Sequence, residues 1–262
     1  MFPRVVLSSV SVIAFASAAF AADIYTPPPA PVAAYVAPPI WAGFYLGVNG
    51  GYGWSANSEP VVVNFPSETI VRRVSTFKLE PQGGFGGGQL GYNWQWGSFV
   101  FGVEADMQAA GITDRRAGPT STFQNLDEQV SGKLDVDWFG TVRGRLGYAV
   151  GPALFYGTGG FAFGGVQYKV GYTNSSSAGF LSRDETLTGW TAGGGIEYKL
   201  SPGWSLKAEY QYLDLGNIGV SGLTPNIKCS VSPCPFNSSH DVTINTFRLG
   251  VNYHIQEYAP LK

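Results

Sequence analysis

From Trp41 onward the chain consists of stretches in which apolar and polar side chains alternate one by one. Residues 99–108 show it best: Phe99, Phe101, Val103, Ala105 and Met107 fall on one face, and Val100, Gly102, Glu104, Asp106 and Gln108 on the other. A strand sends successive side chains to opposite faces, so this segment is greasy on one side and carries two carboxylates on the other. About eight such segments recur, beginning at Trp41, Phe85, Phe99, Asp135, Ala153, Thr186, Trp204 and Asp241. In the first, Phe44, Leu46 and Val48 oppose Tyr45, Gly47 and Asn49. In the fourth, Val136, Trp138, Val142, Leu146 and Tyr148 oppose Asp135, Asp137, Thr141, Arg143 and Arg145. In the sixth, Trp190, Ile196 and Tyr198 oppose Thr191, Glu197 and Lys199. In the seventh, Trp204, Leu206 and Tyr210 oppose Ser205, Lys207 and Glu209. In the last, Phe247, Leu249 and Val251 oppose Arg248, Gly250 and Asn252. The fifth segment, near 153–168, is glycine-rich, and the pattern leaves its register open.

The connections alternate in length. Trp96-Gly97-Ser98, Ala149-Val150-Gly151-Pro152 and Ser201-Pro202-Gly203 read as short turns, whereas 55–82, 109–133, 170–185 and 215–240 are long and polar. Four long loops and three short turns put both ends of an eight-stranded series on the short-turn side. The fold class this predicts is all-β: an eight-stranded antiparallel transmembrane β-barrel with short periplasmic turns and long extracellular loops. Trp96, Phe99, Tyr148 and Trp204 flank the short turns, where a periplasmic aromatic girdle belongs. A soluble sandwich would also alternate, but its outer face would carry far more charge.

Composition agrees. Glycine is high at 36 residues, aromatics reach 15% and charged residues only 13%. Mean hydropathy is near zero, at +0.03, as expected when lipid-facing and lumen-facing positions average out. A formal net charge of −2 leaves no basic footprint for nucleic acid. Met1–Ala21 has the form of a secretory signal, with Arg4 before an apolar stretch and Ala19-Phe20-Ala21 as a small-x-small site, so cleavage is expected between Ala21 and Ala22. The apolar run falls short of the ~20 residues of a spanning helix. The expected organisation is a signal peptide (1–21), a Pro/Ala-rich periplasmic linker (22–40), an outer-membrane barrel (41–255) and a short C-terminal tail (256–262).

Chemistry-bearing residues are few. On the polar faces Glu104, Asp106, Arg143, Arg145, Glu197, Lys199, Glu209 and Arg248 are expected to form a charge network inside the barrel, because a charge in a narrow interior must be paired. Paired carboxylates such as Glu104 and Asp106 serve glycoside hydrolysis elsewhere, but cations on neighbouring strands favour the ion-pair reading. The only cysteines, Cys229 and Cys234, are a candidate disulfide in an oxidising compartment; free thiols or a metal site are the alternatives. His240 and His254 lie fourteen residues apart, about 45 Å on an extended strand, which argues against shared histidine catalysis. Gly86-Gly87-Gly88-Gln89-Leu90-Gly91 matches G-x-G-x-x-G, but it runs on into a strand and not a helix. No enzyme activity, cofactor or metal site is expected.

Four blocks resemble a known family: Trp41-Ala-Gly-Phe-Tyr-Leu-Gly, Gly88-Gln-Leu-Gly-Tyr-Asn-Trp-Gln, Gly102-Val-Glu-Ala-Asp106 and Gly250-Val-Asn-Tyr253. In order and spacing they are similar to the Omp25/Omp31 family of alphaproteobacterial outer-membrane β-barrel proteins. The resemblance implies an eight-stranded barrel with periplasmic termini and exposed loops, linked in that family to envelope integrity, surface antigenicity and, in some members, haemin binding. One departure stands out: the alternating series ends at Ile255 and not on an aromatic residue. The functional expectation is a structural and surface-interaction protein of the outer membrane. The alternatives are a small-solute porin-like channel and a haemin- or ligand-binding surface receptor, the latter using His240 or a loop tyrosine. The expected partners are the outer-membrane bilayer and its lipopolysaccharide, the barrel assembly machinery and unknown extracellular molecules, with no nucleic acid.

Overall fold

A computed structural model of the chain describes residues 39–57, 60–67, 70–74, 77–123, 126–174, 178–224 and 234–255. The signal segment, nearly all of the linker, Cys229 and the tail from Gln256 lie outside these residues. In chain order the strands are β1 (Gly43–Ser55), β2 (Val62–Ser67), β3 (Ile70–Val74), β4 (Gln82–Trp96), β5 (Phe99–Ala117), β6 (Ser121–Phe123), β7 (Leu126–Val150), β8 (Ala153–Asn174), β9 (Ala178–Ser201), β10 (Trp204–Thr224) and β11 (Cys234–Ile255). Eight of them, β1, β4, β5 and β7–β11, pair antiparallel in a ring that closes when Phe44 meets Ile255 and Ser55 meets Ile244. Closure leaves every wall strand hydrogen-bonded on both sides at membrane depth, the condition for strands to sit in lipid.

The wall obeys the alternation. Phe44, Leu46, Val48, Phe99, Phe101, Val103, Ile196, Leu206 and Leu249 point outward, and Asn49, Glu104, Thr191, Glu209 and Asn252 point inward and are buried. Aromatics ring the periplasmic end, where Phe99 packs edge-on to Tyr148 at 5.4 Å and Trp204 to Tyr253 at 5.1 Å. A second ring lies higher, with Trp190 on Tyr212 at 5.3 Å and Trp138 on Phe163 at 6.1 Å. The periplasmic turns are two residues long, and glycine opens two of them with positive φ, 59° at Gly97 and 56° at Gly151, which matches turn twist to strand twist. In β8, whose register the sequence left open, Leu154, Tyr156, Ala162, Val166 and Tyr168 face inward.

Two expectations are corrected. The segments read as long polar loops are largely strand: β7 runs for 25 residues and β9 for 24, well past the upper aromatic ring. Their outward faces are polar, which made them look like loops. Their inward faces are apolar, and Leu134, Val136, Phe139, Tyr168, Val170, Leu213, Leu215, Ile218, Val220, Val242 and Ile244 form one core above the membrane. Val61, Phe77 and Leu79, from the segment between β1 and β4, pack into it. The second correction concerns β7. Val136 is buried and Asp137 exposed, the reverse of the expected faces. Val136 pairs with Val166 and Trp138 with Gly165, so Asp137 is an extra residue. Such a bulge flips the alternation of everything beyond it.

Above the upper ring the wall divides. Pairing between β9 and β10 ends at Asp214 opposite Trp190, and a second bulge at Asp214–Asn217 carries Gly216 with φ 82°. Beyond it β10 pairs with β11, and β11 with the β2–β3 hairpin. The upper ends of β5, β7, β8 and β9 form one sheet, and β10, β11, β2 and β3 another, facing each other across the apolar core.

Candidate functional site

The interior is stacked in three layers. At the periplasmic mouth Trp41 does not begin the first strand as expected. It lies in a turn before β1, fully buried, and packs with Val100, Ala149, Leu154 and Tyr156. Its backbone N–H donates to Gln95 Oε1 at 2.9 Å, and its ring meets His254 edge-on at 5.6 Å. The Trp41 side chain therefore corks the barrel from below.

The middle layer holds the charges. Register pairs Glu104 on β5 directly with Arg143 on β7, and the two side chains bond. Arg143 also donates from Nη2 to Asp106 at 3.0 Å and from Nη1 across the lumen to Glu209 at 2.7 Å. Arg145 bonds Glu197 and stacks its guanidinium 3.7 Å from the Tyr156 ring centroid. Arg248 lies 3.4 Å from Asp106 and 3.7 Å from Glu209. Tyr45 and Tyr156 donate their hydroxyls to Glu104 and Glu209 at 2.7 and 2.8 Å. Glu197 accepts further bonds from Ser205 and from Asn252, the latter at 2.8 Å.

Two assignments differ from the sequence reading. Lys199 stands apart from this cluster, its ammonium 5.1 Å from the Trp41 ring centroid at the periplasmic mouth. Lys207, outside the expected network, is a full member: Nζ donates to Glu104 at 2.7 Å and lies 3.2 Å from Glu209. The signal for it was present, because Lys207 precedes Glu209 by two on the same polar face. With Lys207 the layer balances four carboxylates (Glu104, Asp106, Glu197, Glu209) against four cations (Arg143, Arg145, Lys207, Arg248). Such charges are tolerated in a narrow lumen only because each has partners.

The layer is also dry. Arg248, Lys207 and Gln211 are 0% exposed, and Arg143 and Glu209 only 1%. Above it the apolar core continues. His240 belongs there, buried and stacked on Tyr168 at 6.2 Å, and not at a loop surface as expected. Cys234 begins β11, but Cys229 lies outside the described residues, so the disulfide remains a sequence-based expectation.

Residues 8–254 match the family model described as an outer membrane protein beta-barrel domain. The chain belongs to this family. It is 35% identical over 252 residues to the 31 kDa outer-membrane immunogenic protein of Brucella melitensis, covering 95% of this chain and 98% of that protein. It is 31% identical to the 25 kDa outer-membrane immunogenic protein of Brucella abortus, over 81% of this chain and 84% of the relative. Among solved structures, the outer membrane protein OprG of Pseudomonas aeruginosa aligns with a TM-score of 0.45 at 11% identity, over 82% of this chain and 97% of that one. The family and these relatives place the protein in the outer membrane.

Proposed function

We propose that the protein is a closed outer-membrane anchor that displays an extracellular two-sheet head for surface interaction, and that it contributes to envelope integrity without transporting solutes. The observation that carries this reading is the dry middle layer, in which Arg143, Lys207, Glu209 and Arg248 leave no surface for water. An apolar cork below and an apolar core above add two further barriers. An eight-stranded barrel has a lumen just wide enough for side chains, and this one is filled. The carboxylates are occupied by cations and sealed from substrate, which supports a non-enzymatic role. The name of the relatives, immunogenic, supports exposure of the head at the cell surface.

Planar-bilayer recording of the refolded protein tests it. The expected result is no steady unitary conductance, with rare openings at most. A persistent open channel in the unaltered protein would overturn the anchor in favour of the porin-like alternative.

A further inference from the structure

The outer face of the β5–β7–β8–β9 sheet carries an arrangement that costs free energy as it stands. Arg115 on β5 pairs in register with Lys133 on β7, and Lys133 pairs with Lys169 on β8. Directly paired residues project to the same side of a sheet, with Cβ atoms about 5 Å apart, and like charges so placed repel. The side in question is the outer one, because Ile112, Leu134 and Tyr168, an odd number of positions away on each strand, are buried in the core. Among the described residues one carboxylate forms an ion pair with the row: Asp135 lies 2.5 Å from Lys133 and is also held by Thr113, while Asp184, opposite Gln167 and diagonal to Lys169 on β9, forms none. Asp114 and Glu80 are engaged by Arg116, which belongs to the opposite face. Among the described residues Arg115 and Lys169 have no ion-pair partner.

The height of the row says what neutralises it. Trp138, on the upper aromatic ring, pairs with Gly165, four residues below Lys169 on β8. Four residues are about 13 Å of strand, or roughly 9–10 Å of height at a barrel tilt near 40–45°. Aromatic rings mark the hydrocarbon boundary, and the headgroup region lies just above it. We propose that Arg115, Lys133 and Lys169 form a binding row for the phosphate and acidic-sugar groups of lipopolysaccharide in the outer leaflet. Three donors about 5 Å apart on a rigid sheet can each take a different oxygen of one phosphorylated headgroup. Binding removes the repulsion within the row, so the glycolipid and the sheet stabilise each other. The inference does not depend on whether the barrel conducts.

The test uses full-length protein folded in nanodiscs of zwitterionic lipid, titrated with rough-type lipopolysaccharide and with the same material after dephosphorylation. The gel mobility of unheated samples verifies folding of each variant. The R115Q/K169Q variant spares the Lys133–Asp135 pair. Each basic residue near an anionic surface contributes about a fivefold gain in affinity, so this variant is expected to bind roughly 25-fold more weakly. Dephosphorylation should weaken binding to the unaltered protein by a similar factor, and added salt should weaken it further. A second readout needs no binding constant: K169Q should resist urea better than the unaltered protein in zwitterionic lipid and less well once lipopolysaccharide is present. Equal affinity of variant and parent overturns the proposal, as does affinity indifferent to dephosphorylation. So does a loss confined to a soluble sulfated oligosaccharide with glycolipid binding unchanged, which would assign the row to an extracellular polyanion.

Discussion

Arg143 reaches Glu209 across the lumen, and their bond at 2.7 Å ties β7 to β10, strands that do not touch in the wall. With its second nitrogen on Glu104, Arg143 links three strands from inside. Removing it takes one cation from each of three carboxylates, Glu104, Asp106 and Glu209, in a dry layer. Arg143→Ala is expected to cost about 3–5 kcal/mol of barrel stability in urea unfolding from lipid vesicles, the range for breaking a buried pair. Lys133→Ala, on the outer surface, should change stability by less than about 1 kcal/mol.

Glu104→Ala should be comparably destabilising, because it leaves Arg143 and Lys207 without one of their anions. The double variant with Arg143→Ala should recover part of the summed loss, and only part, since Asp106 and Glu209 still lack Arg143. Strictly additive losses in the cycle would mean that the two side chains do not interact.

The bulge at Asp137 makes a sharper prediction. Deleting that residue would make Val136 the direct neighbour of Trp138, so regular pairing with β8 keeps Leu134 and Val136 on the core side; one residue inserted between Leu134 and Asp135 would instead turn Leu134 outward and send Lys133 toward the apolar core. The insertion is expected to destroy the head, seen as rapid proteolysis of residues 126–136, while the deletion of Asp137 leaves it intact. Equal protease resistance of both variants would show that the register of upper β7 does not decide which of its faces is buried.

Trp41→Ala should open the periplasmic mouth and cost about 3–5 kcal/mol, as for other buried tryptophans. The dry charge layer above it stays in place, so conductance is expected to remain low. A large open channel in this variant alone would show that the cork, and not the ion-pair layer, seals the barrel.

Orientation can be read by labelling. In a Cys229→Ser/Cys234→Ser background, a cysteine replacing Phe180, an exposed residue of the head, should react with a membrane-impermeant maleimide on intact cells. A cysteine replacing Ser98, in a periplasmic turn, should react only after the outer membrane is breached. The opposite pattern would invert the topology.

Much of this was legible in the sequence because lipid imposes a simple rule on a strand at membrane depth: one face apolar, one face not. Phe99 to Gln108 obeys it residue by residue, and the short turns, their flanking aromatics and the two-sided placement of Glu104 and Arg143 follow from the same alternation. Above the membrane the rule inverts. The outer face meets water and the inner face is dry, so Arg115, Lys133 and Ser182 made true strands look like loops, while Ile112, Val130 and Val170 were hidden among them. Alternation also cannot announce where it breaks, because one extra residue at Asp137 leaves the composition unchanged and reverses every face beyond it. The sequence by itself determined that the chain closes into a membrane barrel with charges inside. Only the tertiary structure decided which charges meet, that Lys207 joins them and Lys199 does not, that Trp41 turns back into the mouth, and that three cations stand side by side on the outer wall. Those outcomes depend on strand register and on distances across the lumen, which no local pattern encodes.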